Sequence, residues 1–162
     1  MSERRCGIGY DSHRFEGPGP LVLGGVEVPA RLGLRGHSDA DVVAHAVTDA
    51  VLGAAGMGDI GERFPDDDPA YAGADSIALL RDACGAVAES GWQVVNVDVS
   101  VIAEEPRLTP YKGAMAERLA AALGVAPEAV NVKASTNEGM GFVGRGEGIA
   151  ALALAHVKRP DS

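Results

Sequence analysis

Aromatic residues are scarce in this 162-residue chain: Phe, Trp and Tyr together make up 4% of it. With hydrophobic residues at 46%, the core must be filled by Ala, Val and Leu. The length suits a single domain with a core of its own. Positive charge is short too, 14 Lys and Arg against 23 Asp and Glu, for a net charge of −9. With no basic patch to offset that balance, the sequence argues against nucleic acid or an anionic membrane surface as partner. A phosphate-bearing ligand would then need metal cations, helix N-termini or backbone N–H groups to hold it. Cysteine occurs only at Cys6 and Cys84, with no CxxC, which points to free thiols in a reducing cytosol. The N-terminal MSERRCGIGYDSHRF has no signal-peptide pattern and no run reaches transmembrane length, so a soluble cytoplasmic protein is expected. Gly139–Gly144 fits GxGxxG literally, but the chain ends before the helix, strand and acidic residue that a dinucleotide fold requires. No GxxxxGK[ST] loop occurs, and Ser38 is not in a GxSxG elbow, so a serine triad has no support. No internal repeat, low-complexity tract or linker interrupts the chain.

The stretch around which the rest is organised is Gly36–Asp49, GHSDADVVAHAVTD. Read as a helix at about 100° per residue, it puts Asp41, His45, Thr48 and Asp49 on one side. Val43, Ala46, Val47, Ala50, Val51 and Ala54 fall on the other, and the helix should end near Gly53–Gly56. His45, opposite the apolar stripe and flanked by carboxylates, is a metal-ligand candidate, although charged helix faces are often simply solvated. Ser38 or Asp39 can cap this helix, which would set His37 beside its unpaired N–H groups.

Cys6–Phe15 alternates as a strand, with Cys6, Ile8 and Tyr10 on one face and Gly7, Gly9, Asp11 and His13 on the other. The two glycines leave open space beside a carboxylate and an imidazole. Residues two apart on a strand lie roughly 6.5–7 Å apart, so Asp11 and His13 can converge on one ion; alone, D-x-H also reads as a polar strand end. Leu21–Pro29 reads as a hairpin around Gly24-Gly25. Met57–Pro69 is an acidic loop that does not match calcium-loop spacing. Asp75 or Ser76 caps a second helix with Ile77, Leu80, Cys84 and Val87 inward and Gly91 as its stop. Val94–Ala103 is a strand with Val95, Val97, Val99 and Val101 on one face. Thr109-Pro110 opens a third helix that Gly124 ends. Asn131–Thr136 and Ile149–Val157 complete the strands.

Four separated motifs then stand in order: GxGxDxHxF at Gly7–Phe15, GHSDADV..HA..DA.LGA at Gly36–Ala54, GDIG..FPD.DP at Gly58–Pro69, and NVKAST.E..GF.GRGEGIA at Asn131–Ala150. Together they resemble the 2-C-methyl-D-erythritol 2,4-cyclodiphosphate synthases of the non-mevalonate isoprenoid pathway, from Gly7 to about Val157. The resemblance implies an α+β fold, a mixed four-stranded sheet with helices on one face, forming one domain over 1–162. It also implies a homotrimer with active sites between subunits. The expected reaction is a phosphorus–oxygen lyase step: the 2-phosphate of 4-diphosphocytidyl-2-C-methyl-D-erythritol 2-phosphate attacks the β-phosphate, closing a cyclic diphosphate and expelling CMP. The nucleophile is already an anion, so positioning and charge neutralisation carry the catalysis.

By the same resemblance, Asp11, His13 and His45 match the family's zinc ligands, and Glu138 a second divalent ion, Mg²⁺ or Mn²⁺. His37 and Thr136 match its transition-state-stabilising positions. Ser38 and Asp49 match substrate contacts, with Ser12 beside the ligands. Asp59 and Gly61 match ribose contacts on either side of Ile60. Phe64, Pro65, Asp66, Asp67 and Asp68 match the loop of the erythritol phosphate pocket. Ala103, Glu104, Glu105, Pro106, Arg107, Leu108 and Thr109 match the segment whose backbone receives the cytosine, and Phe142 and Arg145 further ligand contacts. Ser135 and Asn137 stand where the family carries threonines, and Leu108 and Thr109 replace bulkier apolar residues. Arg145 and Glu147 sit either near the threefold axis or in a surface ion pair. Two rival functions stay open at this point: a metal-dependent phosphohydrolase with a water nucleophile, and a non-catalytic zinc module. The second requires a closed four-ligand site, for which Asp49 or the distant His156 would have to serve.

Overall fold

A computed structural model describes residues 3–159 of the chain. Its first strand, β1 (Glu3–Pro18), alternates as the sequence pattern requires and pairs antiparallel from Glu3 to Arg14 with β7 (Gly148–Arg159). Next come a hairpin, β2 (Leu21–Leu23) and β3 (Val26–Val28), and a short strand, β4 (Leu32–Leu34). Helix α1 (Val42–Ala55), the four-residue α2 (Ile60–Arg63) and helix α3 (Ser76–Glu89) follow. Strand β5 (Gln93–Ile102), helix α4 (Lys112–Leu123), strand β6 (Val130–Ser135) and the four-residue α5 (Gly141–Gly144) lead into β7. The main sheet runs in the order β4-β1-β7-β5-β6, with β5 and β6 parallel and the other pairs antiparallel.

The sheet is mixed, as expected, but has five strands rather than four. The fifth, β4, is only Leu-Gly-Leu at the edge, too short for a period-2 pattern to register. Helices cover one face: α1 lies on β1 and β7, α4 on β6, and α3 packs across α1 and α4. On the other face Ile8, Tyr10, Leu152 and Leu154 are exposed, Ile8 opposite Leu154 and Tyr10 opposite Leu152. Within β5, Val95 has no partner in β7, because Val94 pairs with Val157 and Asn96 with His156. This bulge puts Val94, with Val97, Val99 and Val101, against the core in place of Val95.

Gly7 and Gly9 do not border open space. A Cβ at Gly7 would lie 2.1 Å from the Ala50 carbonyl oxygen, and one at Gly9 would lie 1.9 Å from that of Ala46. Helix α1 rests backbone-to-backbone on β1 at these two positions, and this close approach brings His45 over Asp11 and His13. Nor is α1 half-solvated. Only His45, Asp49 and Gly53 escape burial along it, and Thr48 turns back to donate to the Ala44 carbonyl at 2.7 Å. Its cap is neither Ser38 nor Asp39 but the fully buried Asp41. The Asp41 carboxylate accepts from Val43 and Ala44 N–H at 3.2 and 3.0 Å, and from Gly24 and Gly25 N–H at 2.8 and 2.7 Å. One side chain thus caps the helix and pins the β2–β3 hairpin to it.

Candidate metal centre and its cleft

Strand alternation sends Asp11 and His13 to the helix-covered face of β1, and α1 supplies His45 from above. Asp11 Oδ2 lies 2.8 Å from His13 Nε2 and 3.0 Å from His45 Nδ1. The two ring nitrogens are 3.1 Å apart. These three ligand atoms, all within 4.8 Å of one another, form the one such group among the described residues. Burial pushes the Asp11 carboxyl up, but hydrogen bonds and charge from His13 and His45 outweigh it and hold the group at about 2. For His13 burial acts downward, and the Asp11 carboxylate overcomes it, leaving the ring above its ordinary value.

The outward nitrogens are occupied. His13 Nδ1 donates to the Arg35 carbonyl at 2.8 Å, which leaves Nε2 to face Asp11. His45 Nε2 lies 2.8 Å from Ser76 Oγ and 3.0 Å from Ser38 Oγ. A carboxylate oxygen and two imidazole nitrogens with their far sides anchored are a donor set that could hold a metal ion. Asp49 is not in the group. Its carboxylate accepts from Ile60 N–H at 2.7 Å, tying α1 to the following loop, and burial raises its pKa against that bond. His156 pairs with Cys6 across β1 and β7, at another part of the sheet. The three-ligand group therefore opens onto a cleft of about 260 Å³.

That cleft gathers Asp11, His13, His37, Ser38, His45 and Asp49 from one side and Ile60, Gly61, Phe64 and Asp66 from the other. Ser12 projects to the opposite face of β1 and is exposed. Asp59 caps α2, accepting from Glu62 N–H at 2.8 Å, and Asp68 caps the turn at Pro69–Tyr71, accepting from Ala70 N–H at 2.9 Å. Pro65 and Asp67 are exposed beside the cleft rather than lining it. His37 Nε2 donates to the Asp68 carbonyl at 3.2 Å, so the two loops meet over the opening.

The second half of the chain builds a separate cleft of about 670 Å³, lined by Glu104, Glu105, Pro106, Arg107 and Arg145 with Phe15, Arg31 and Leu32. The two clefts share no residue. Ala103 is buried, donating to the Ser135 carbonyl at 3.0 Å, and Leu108 is buried in the core, while Thr109 starts an exposed turn. Thr136 and Glu138 are exposed on the loop after β6, and Glu138 holds φ at 51°, a left-handed conformation uncommon outside glycine. The Glu138 N–H donates to Thr136 Oγ1 at 3.3 Å. Glu104 Oε1 accepts from Asn137 N–H at 2.8 Å and Gly139 N–H at 3.4 Å, fastening this loop to the segment after β5. Phe142 is exposed on α5, and Arg145 pairs with Glu147 at 2.8 Å in an exposed ion pair. Sequence reasoning reached Glu104 only through its backbone, and it read Ser76 only as a possible cap and Asp39 only as a cap. No periodicity marks such contacts between distant loops.

Comparison with known proteins follows the same outline. The model of the YgbB family matches residues 4–158. A 2-C-methyl-D-erythritol 2,4-cyclodiphosphate synthase from Alkalilimnicola ehrlichii is 61% identical over 156 residues, covering 96% of this chain and 95% of that one. The structure of the bifunctional IspDF from Campylobacter jejuni superposes with a TM-score of 0.95 at 44% identity, over 99% of this chain and 44% of that longer one. The CDP complex of IspF from Plasmodium falciparum superposes with a TM-score of 0.85 at 28% identity, over 99% of both chains. The chain belongs to the YgbB family.

Proposed function

We propose that this chain is a cyclodiphosphate synthase, which converts 4-diphosphocytidyl-2-C-methyl-D-erythritol 2-phosphate to 2-C-methyl-D-erythritol 2,4-cyclodiphosphate and CMP. The observation that carries this reading is the open Asp11–His13–His45 group in a chain 61% identical, over 96% of its length, to a synthase of that name. An oxygen of the 2-phosphate forms a bond to the β-phosphorus. The bond from that phosphorus to the CMP oxygen breaks, and CMP leaves with the electron pair. No proton need be removed from the nucleophile, so the protein's task is to hold two anions in line against their repulsion.

Asp11, His13 and His45 would hold zinc, and Glu138 a second divalent cation, Mg²⁺ or Mn²⁺. When bound, these ions neutralise and orient the phosphate oxygens, offsetting the repulsion expected from a chain of net charge −9. Ser38 and His37, at the mouth of the first cleft, offer hydroxyl and ring N–H donors to phosphate oxygens; Thr136 offers another from the second half. Asp59, Ile60 and Gly61 would meet the ribose, Phe64–Asp68 the erythritol phosphate, and Ala103–Thr109 the cytosine, with Ser135, Asn137, Phe142 and Arg145 beside it. The CDP-bound relative supports a cytidine-linked ligand.

The homotrimer belongs to the same proposal. It is supported by the separation of the two clefts within one chain and by the uncovered Ile8, Tyr10, Leu152 and Leu154 on the free face of the sheet. Among the described residues no helix is long and apolar enough to cross a membrane, and both cysteines are free, which fits a cytoplasmic enzyme. Incubation with the named substrate, followed by phosphorus NMR, tests the reaction. The cyclic diphosphate and CMP are expected in equal amounts; linear phosphates would make the chain a hydrolase instead.

A further inference from the structure

We propose that Asp39 and Ser76 are positioning residues that fix which nitrogen of His45 is bare when an ion is held, aiming its Nδ1 lone pair at the point that Asp11 and His13 share. This inference rests on the metal reading of the three-residue group. Ser76, the first residue of α3, is 1% exposed, and its Oγ has three polar neighbours. They are Asp39 Oδ1, in a short hydrogen bond, His45 Nε2 at 2.8 Å and Ser38 Oγ at 3.4 Å. A hydroxyl carries one proton. The Asp39 carboxylate already accepts the Ser76 N–H at 3.0 Å and the Asp41 N–H at 3.1 Å, so it stands there as an acceptor. Ser76 must therefore give its proton to Asp39, and toward His45 it can only accept.

The consequence is directional. When an ion is held, His45 carries its proton on Nε2 and donates it to Ser76, leaving Nδ1 bare. That atom sits 3.0 Å from Asp11 Oδ2 and 3.1 Å from His13 Nε2. The Arg35 carbonyl does the same for the other ring, so both imidazoles can turn lone pairs toward one ion. Ser38 Oγ, 3.0 Å from the same Nε2–H, accepts a share of it, and its own proton is within reach of Ser76 Oγ at 3.4 Å. The backbone is shaped for this division of labour. Ala40, buried between the two acids, holds φ at 58°, and the resulting turn sends Asp39 to Ser76 while Asp41 caps α1.

The test removes zinc with a chelator and measures its return to the full-length chain by competition. Ser76→Ala is expected to weaken zinc binding about 10–100-fold. Asp75→Ala is the control: Asp75 caps the same turn of α3, accepting from Ile77 N–H at 2.9 Å, but does not touch His45. It is expected to hold zinc within about threefold of the unaltered chain, since only a cap is lost. In the zinc-loaded protein, nitrogen NMR of the His45 ring should show a protected proton on Nε2, and Ser76→Ala should speed its exchange. Equal losses in Ser76→Ala and Asp75→Ala, unchanged affinity in Ser76→Ala, or the ring proton on Nδ1 would each overturn the proposal. Should Ser76→Ala not fold, Asp39→Asn decides by the same measurement, unchanged affinity again overturning it. An unaltered chain that takes up no zinc would overturn the metal reading first, and this one with it.

Discussion

At the scale of single residues, the metal group is held together before any ion arrives. In metal-free protein the Asp11 carboxylate and a protonated His13 form one pair, seen from both sides as a lowered carboxyl and a raised ring. The lowered Asp11 contributes stability that is present above its unfolded value near 3.8 and is lost as pH falls toward 2. The raised His13 contributes the same stability below its unfolded value near 6.5, and it is lost as pH rises through the folded value. Counted once, the pair should add on the order of 2 kcal/mol around pH 5. Urea unfolding of metal-free Asp11→Asn against the unaltered chain should therefore give a difference that peaks near pH 5 and shrinks on both sides. A difference flat from pH 3 to 8 would show that the pair is not ionic. Glu138 is a different case, exposed and lacking such neighbours in the metal group. Glu138→Gln should keep zinc and fold but lose most activity and its response to added Mg²⁺. An unaltered Mg²⁺ dependence would remove Glu138 from the second-ion site.

At the scale of elements, the site depends on how closely α1 can approach β1. Gly9→Ala would place a methyl 1.9 Å from the Ala46 carbonyl oxygen, a backbone atom that cannot swing aside. The helix must lift, at a cost of about 3 kcal/mol, and His45 lifts with it. Unfolding and zinc competition on this variant should show both losses together; lost stability with unchanged zinc affinity would mean that β1 and α1 are not the frame of the site. The second cleft has its own fastener. Glu104→Ala leaves the Asn137 and Gly139 N–H groups without their acceptor and should lower kcat/KM about tenfold or more, with zinc content unchanged. Glu104→Gln, which keeps an acceptor oxygen, should recover most of that loss, and equal damage in the two variants would rule out the hydrogen-bond role. These elements also show what could be read in advance. Strand and helix periods made Asp11, His13 and His45 legible as candidates, and the resemblance of the four motifs joined them into one ligand set. The true cap was not, since Asp39 and Asp41 both suit a cap and the choice between them lies in the left-handed turn at Ala40. Nor were β4 and the bulge at Val95, which are set by pairing with distant strands.

At the scale of the whole molecule, one chain carries two clefts that share no residue, which in the proposed function are two halves of a site. Asp11, His13, His37, Ser38 and His45 belong to one cleft, whereas Glu104, Arg107 and Arg145 belong to the other, with Thr136 and Glu138 on the adjoining loop. In the proposed trimer, the first half of one subunit faces the second half of its neighbour. An Asp11→Ala trimer then lacks the first half at every site, and a Thr136→Ala trimer is damaged in the second half at every site. Co-expression creates interfaces where an intact first half from the Thr136→Ala chain meets an intact second half from the Asp11→Ala chain. With equal amounts and random assembly around the ring, each site draws its two halves independently, so about one site in four is whole. Because the contacts act together on one in-line displacement, partly damaged sites contribute little, and activity should return to about a quarter of the unaltered level. Mixing the two preformed trimers without exchange should restore nothing. A site complete within one subunit predicts no recovery under either protocol, so mixed trimers verified by mass spectrometry but still inactive would reject the shared site.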